Sequence, residues 1–160
     1  MRLPEARLLR ALDYDEAQEL ASTGAKVLHP RCIHPLGQAD IPLHLRCTPR
    51  PDLPGTVISA NLPDKDARLK ALSVKRGVML VSMETLGMWQ EVGFLTKAFS
   101  RFEQHGLSVD LVSTSETNVT VTLDPGANPL DGQVLSRLVE DLSGICRAEV
   151  IGPCATLSLV

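Results

Sequence analysis

A regular alternation of strand-like and helix-like segments between Val78 and Ile151 most constrains what this chain can fold into. Strands are indicated where apolar and polar residues alternate, and helices where apolar residues recur every three or four positions. The predicted segments are a strand Val78–Met83, a helix Val92–His105, strands Leu107–Leu111 and Val119–Leu123, a helix from an Asp131 cap to about Ser143, and a strand Arg147–Ile151. This β-α-β-β-α-β order is that of a ferredoxin-like antiparallel sheet with both helices on one face. The fold alone indicates no function, because it hosts many.

The residues on either side of this region form less regular segments. They predict a strand Ala6–Leu12, a helix Tyr14–Thr23 capped by Asp13, a helix starting at Pro30, strands Ile41–Cys47 and Thr56–Ala60, and a last strand Ala155–Val160. The polar stretch Asn61–Lys75 is typical of a linker. We therefore expect an α+β chain divided into residues 1–62, a linker 63–77, a ferredoxin-like domain 78–152 and a final strand 153–160.

Composition excludes several functional classes. The 160 residues carry a net charge of −3, which disfavours binding to nucleic acids or anionic membranes because both attract clustered Lys and Arg. No apolar run is long enough to span a membrane, and the N-terminus lacks the apolar core of a signal peptide, so the cytoplasm is the expected location. The four cysteines form no Cys-x-x-Cys pair, which predicts buried free thiols and no metal site.

Two stretches resemble the aspartokinase family. The segment Gly24–Pro30, preceded by the helix that contains Glu16 and Glu19, resembles the last part of the aspartokinase catalytic domain. The residues Gly93-Phe94-Leu95 and the segment Ser108–Glu116 resemble the first ACT domain of aspartokinases, in particular its effector site. The resemblance covers essentially the whole chain and both stretches come in the expected order.

The resemblance implies a division of labour along the chain. Residues 1–62 would be the C-terminal remnant of an amino-acid-kinase domain, 78–152 an ACT domain, and 153–160 the first strand of a truncated second ACT domain. Lys26 would be the remaining nucleotide-binding residue, with no catalytic residue present. We therefore expect the chain to be inactive alone, with ATP and Mg belonging to the intact enzyme. The segments Gly87–Gln90 and Glu116–Val121 look most like aspartokinases fused to a diaminopimelate decarboxylase.

The resemblance also implies a site that binds an end-product amino acid. The residues that match the family's effector site are Met88, Glu91, Gly93, Phe94, Leu95, Ser108, Val109, Asp110, Thr114 and Glu116. Backbone N–H groups at the start of the helix suit a carboxylate. The carboxylates of Asp110 and Glu116 suit a second ammonium, which favours lysine over threonine. Glu91 departs from the small polar residue of the relatives, and would repel the ligand's carboxylate.

Other interpretations of these residues stay open. Lys26 alone would be an ordinary surface lysine, and Asp110 and Glu116 could be ordinary turn and edge charges. The leading hypothesis is an amino-acid sensor that forms a homodimer through its ACT domains. The alternative is a ligand-free ACT-type dimerisation module. An independent small enzyme is disfavoured, because no set of acid, base and nucleophile is evident.

Overall fold

The computed structural model describes residues 6–25, 27–61, 69–85 and 91–160. Its elements are β1 Ala11–Leu12, α1 Tyr14–Ser22, α2 Pro30–Gln38, β2 Leu43–Leu45, β3 Thr56–Ile58, β4 Leu72–Glu84, α3 Phe94–Gln104, β5 Val112–Thr114, β6 Asn118–Leu123, α4 Gly132–Ser143 and β7 Arg147–Leu159. They belong to two compact units. Unit 1 comprises Met1–Lys75 and Leu157–Val160, and unit 2 comprises Arg76–Thr156.

Unit 1 is built on a small mixed sheet of order β1-β3-β2, in which β1 is parallel and β2 antiparallel to β3. Its core consists of Leu12, Ala17, Ile33 and Ile58. As predicted, Asp13 caps α1: its carboxylate accepts the Glu16 N–H at 2.8 Å, while Glu16 accepts the Asp13 N–H at 3.0 Å. This reciprocal capping box explains why a helix starts at this point.

Unit 2 contains the four-stranded sheet of order β5-β6-β4-β7, in which β6 runs antiparallel to both β4 and β5. With the elements in the order β-α-β-β-α-β, this is the ferredoxin-like arrangement, so the predicted α+β fold class is confirmed. The core joins one face of the sheet to α3 and α4. It consists of Val81, Met83, Phe94, Ala98, Phe102, Leu107, Val119, Val121, Leu123, Leu138, Leu142 and Cys146.

Several predicted boundaries need correction. The linker predicted at 63–77 is wrong for its last six residues, because β4 already begins at Leu72; residues 62–68 lie outside the described part of the chain. The two strands predicted at 147–151 and 155–160 are one strand, β7. Gly152 and Pro153 lie within this strand, and because β7 is an edge strand of the sheet, the proline interrupts no pairing on its free side.

The strand predicted at Leu107–Leu111 is also wrong, since β5 comprises Val112–Thr114. Instead of pairing with β6, the backbone N–H and C=O of Ser108 are hydrogen-bonded to the side chain of Asn128. The expectation of buried thiols holds only for Cys146, whose burial raises the pKa of its thiol. Cys32 and Cys47 are exposed, and Cys154 is half-buried.

Candidate functional site

The start of α3 has free space and no capping side chain. Gly93 is the N-cap in a left-handed conformation, with φ +88° and ψ 6°, and a Cβ added there would meet nothing within 4 Å. Phe94 is buried in the core, whereas Leu95 remains 43% exposed. Since no side chain of the described residues caps the helix, the N–H groups of its first turn are suited to an anionic group such as a carboxylate.

The negative charge of Glu91, which lies before α3, is offset by a lysine of that helix. The Glu91 carboxylate accepts a hydrogen bond from Lys97 Nζ at 3.0 Å, and both side chains are substantially exposed. Lys97 belongs to the first turns of α3, and its N–H donates to the Gly93 carbonyl at 3.0 Å. The ion pair offsets the negative charge of Glu91, so the repulsion expected between Glu91 and a bound carboxylate is reduced.

Thr114 and Glu116 lie at the same end of the sheet as the start of α3. Thr114 and Met83 are both opposite Val119, on β5 and β4 respectively. Because β4 and β5 are both antiparallel to β6, they are parallel to each other. Helix α3 connects these two strands, so it starts at the end of the sheet where both strands end. The tight turn after Thr114 is closed by Ser115, whose hydroxyl accepts the Asn118 N–H at 3.1 Å. This turn leaves Glu116 exposed.

Ser108, Val109 and Asp110 lie further along the same edge. The Asp110 N–H donates to the Thr122 carbonyl at 3.0 Å, and Thr122 is opposite Leu80, three positions before Met83. At a rise of about 3.3 Å per residue, Asp110 and Thr114 are about 13 Å apart along the strand. One chain therefore presents the predicted residues as two groups: the start of α3 with Thr114 and Glu116, and the segment Ser108–Asp110.

A residue that the sequence does not single out holds the second group. Asn128 lies in the loop between β6 and α4, and is only 7% exposed. Its sequence context, Pro125–Pro129, predicts ordinary turn chemistry. A buried amide bonded to a segment 20 positions earlier cannot be found from local spacing, because no periodic pattern links the two positions.

The remaining predicted site residues, Lys26 and Met88, lie outside the described residues. The segment that leads to Lys26 is well defined. Ser73 Oγ donates to the Thr23 carbonyl at 2.8 Å at the end of α1, and Lys70 Nζ contacts Glu16 Oε1 at 2.5 Å at its start. Gly24 follows with φ +118°, and a Cβ there would approach the Val74 carbonyl to 3.2 Å. The residues 70–74 thus lie along α1 and fix both of its ends.

Two further properties concern the described residues only. In the ranges 6–25, 27–61, 69–85 and 91–160, no group of three His, Cys, Asp or Glu side chains is arranged to hold a metal ion. Within the same ranges, no helix has the length and apolar character needed to cross a membrane.

Comparison with known proteins first defines a class. A sequence model of the amino acid kinase family matches residues 2–47, in unit 1, and the ferredoxin-like region follows. The chain therefore joins a segment that is similar to the amino acid kinase family to a small α+β unit.

Longer relatives define the kinase more closely. Aspartokinase 1, chloroplastic, of Arabidopsis thaliana is 38% identical over 152 residues, which is 93% of this chain and 27% of that protein. The crystal structure of E. coli aspartokinase III in complex with aspartate and ADP (R-state) matches with a TM-score of 0.83 and 33% identity, over 99% of this chain and 36% of the other. The structure of that enzyme in complex with lysine and aspartate (T-state) gives a TM-score of 0.82 and 32% identity, over 96% and 34%.

The chain is a homologue of the aspartokinases over nearly its whole length. It spans about a third of these relatives' length or less.

Proposed function

We propose that this chain is the amino-acid-sensing portion of an aspartokinase and that its effector is lysine. The observation that carries the proposal is the match, over 96% of this chain, to an aspartokinase crystallised with lysine. The chemistry of the predicted site agrees with such a ligand. The N–H groups at the start of α3 suit the carboxylate of the amino acid, and the carboxylates of Asp110 and Glu116 suit its ammonium groups.

The separation of the two groups of site residues supports a site shared between two copies. The Cα atoms of Asp110 and Thr114 lie about 13 Å apart along the strand of one chain, so the predicted site residues are spread along the edge rather than gathered at one point. In a homodimer, the start of α3 and Glu116 of one copy would meet the segment Ser108–Asp110 of the other. The edge next to these residues is apolar and open: Leu95, Leu111 and Val112 are 43%, 54% and 50% exposed.

The parent protein would phosphorylate aspartate with ATP and Mg, and lysine would regulate that reaction. Lys26 would contact the nucleotide phosphates, and the chain on its own would be inactive. Regulation would be a population shift, in which lysine binds one arrangement of the enzyme better than another. The fusion to a diaminopimelate decarboxylase stays a prediction.

Isothermal titration calorimetry of the full chain with lysine, threonine and methionine tests the proposal. Lysine should bind saturably and more tightly than the other two, and Asp110→Ala should abolish binding by removing a carboxylate that pairs with an ammonium. Glu140→Ala is the matched control, because Glu140 is an exposed carboxylate on α4 outside the proposed site.

A dimer that binds none of the three amino acids would instead support the ligand-free dimerisation module. A monomer at high protein concentration would contradict the shared site. Sedimentation of the same samples with and without lysine distinguishes these outcomes.

A further inference from the structure

The side chain of Asn128 replaces a strand partner for the segment before β5. Its Oδ1 accepts the Ser108 N–H at 2.6 Å, and its Nδ2 donates to the Ser108 carbonyl at 2.9 Å and to the Asp124 carbonyl at 3.0 Å. The amide orientation is fixed by these partners, since one N–H donor and two carbonyl acceptors leave only one assignment of oxygen and nitrogen. A buried side chain thus satisfies both backbone groups of one residue, as a neighbouring strand would.

The contact between Asn128 and Ser108 determines which side chains of residues 107–110 face the solvent. Leu107 is buried in the core of unit 2 and Val109 packs against it, while Ser108 and Asp110 are exposed. The Asp110 N–H then bonds to the Thr122 carbonyl at 3.0 Å. The backbone of Asp110 is therefore held by its own hydrogen bond to β6, and the residue two positions before it, Ser108, is held by the side-chain amide of Asn128.

The loop that carries Asn128 is itself held firmly. The Asn128 N–H donates to the Asp124 carbonyl at 3.0 Å, and the Asp124 carboxylate accepts the Gly126 N–H at 2.8 Å. Asp131, after this loop, caps α4 by accepting the N–H groups of Gln133 and Val134 at 2.9 and 2.8 Å, bonds that hold the helix and not Asn128. A rigid loop is the support that a positioning side chain needs.

We propose that Asn128 is a positioning residue for the effector site: by binding both backbone groups of Ser108, it holds Asp110 where an ammonium group of the effector binds. This inference rests on the proposed function, because it assumes that Asp110 contacts the ligand. It adds a residue outside the predicted set, which acts on ligand affinity without touching the ligand.

The test compares Asn128→Ala with a control of similar cost to stability. Asn128→Ala removes the three hydrogen bonds, and should weaken lysine binding about tenfold, the effect of losing about 1.4 kcal/mol. Asp131→Ala removes the cap of α4, whose hydrogen bonds do not hold Asn128, and should lower the melting temperature while leaving the lysine affinity unchanged. Affinities come from calorimetry, and exchange of the Ser108 amide hydrogen from NMR spectroscopy of the same proteins.

A second variant separates positioning from folding. In Asn128→Asp the introduced carboxylate still accepts the Ser108 N–H but repels the Ser108 and Asp124 carbonyls. Affinity should fall at neutral pH, and recover in part at low pH, where the protonated carboxyl donates one hydrogen bond again; the wild-type titration at each pH is the reference.

Each outcome bears on a distinct claim. Unchanged lysine affinity in both Asn128 variants, or an equal loss in Asp131→Ala, would overturn the inference. Failure of the wild-type chain to bind lysine would overturn the proposed function itself. Faster exchange at Ser108 in Asn128→Ala, combined with weaker lysine binding, supports the positioning role.

Discussion

The hydrogen bond from Ser73 to the end of α1 allows a quantitative prediction. Ser73 is 6% exposed, and its hydroxyl donates to the Thr23 carbonyl at 2.8 Å. In Ser73→Ala that carbonyl loses its donor at a partly buried position. Leaving a buried acceptor unsatisfied costs about 1–3 kcal/mol, and we expect about 1 kcal/mol because Thr23 is only half-buried. For a chain of 160 residues, this lowers the melting temperature by about 2–4 °C.

Thermal unfolding followed by circular dichroism measures this shift, and urea titration gives the free energy of unfolding. Ser100→Ala is the matched control. The Ser100 hydroxyl also donates to a backbone carbonyl, that of Thr96 at 2.8 Å, but it lies on the exposed surface of α3. Since alanine has the higher helix propensity and water can replace the lost bond, Ser100→Ala should be neutral or slightly stabilising.

Hydrogen exchange locates the effect. The N–H groups of Thr23 and Ala25 donate to Glu19 and Leu20 in the last turn of α1, and their exchange should accelerate in Ser73→Ala while amides of α4 stay protected. Equal stability of Ser73→Ala and Ser100→Ala, or unchanged exchange at the end of α1, would refute the reasoning.

Two other predictions concern the start of α3. Gly93→Ala should destabilise the chain by about 1 kcal/mol in urea unfolding, because φ +88° disfavours any Cβ although the space around it is open; no loss of stability would contradict this. Lys97→Met should weaken lysine binding several-fold in calorimetry, because the Glu91 carboxylate then faces the ligand's carboxylate without its 3.0 Å partner. Adding Glu91→Gln to Lys97→Met should restore the affinity, and a double variant as weak as the single one would reject that explanation.

Local patterns predicted the elements whose burial follows a regular period. Strand β6 alternates buried Val119, Val121 and Leu123 with half-buried polar residues, and α3 buries Phe94, Ala98 and Phe102 on one face. In both elements the side chains that fill the core repeat at the period of the backbone, so sequence spacing is sufficient evidence. The order of these elements then fixes the ferredoxin-like arrangement.

The strand before the turn at Ser115 could not be placed in the same way. Leu107, Val109 and Leu111 alternate as strand residues do, and two of them do pack towards the core. The pattern reports which side chains are buried, but not which group bonds to the backbone. The hydrogen-bond partner of the Ser108 backbone is a side chain 20 positions away. The alternation of buried and exposed side chains therefore continues through a segment that is not a strand.

The polar segment before β4 shows the reverse error. Charged residues around Lys70 indicate a linker, yet Lys70 and Ser73 both bond to α1. Polar side chains that make specific long-range contacts resemble solvated ones in sequence, because composition records their polarity and not their partners. Composition likewise does not reveal that the charge of Glu91, in a loop, is offset by an ion pair with Lys97, in a helix.

Within the proposed site, the positions of the two carboxylates, Glu116 and Asp110, bear on both the choice of ligand and the role of a second copy. The start of α3 offers N–H groups for a carboxylate, and the exposed Glu116 lies at the same end of the sheet. These two features suffice for the α-carboxylate and one ammonium group of any amino acid. A second ammonium requires Asp110, which lies about 13 Å along the strand from Thr114 in the same chain. If Asp110 of another copy supplies that carboxylate, lysine binding and dimerisation are linked, whereas a neutral amino acid needs only the start of α3 and Glu116 of one chain.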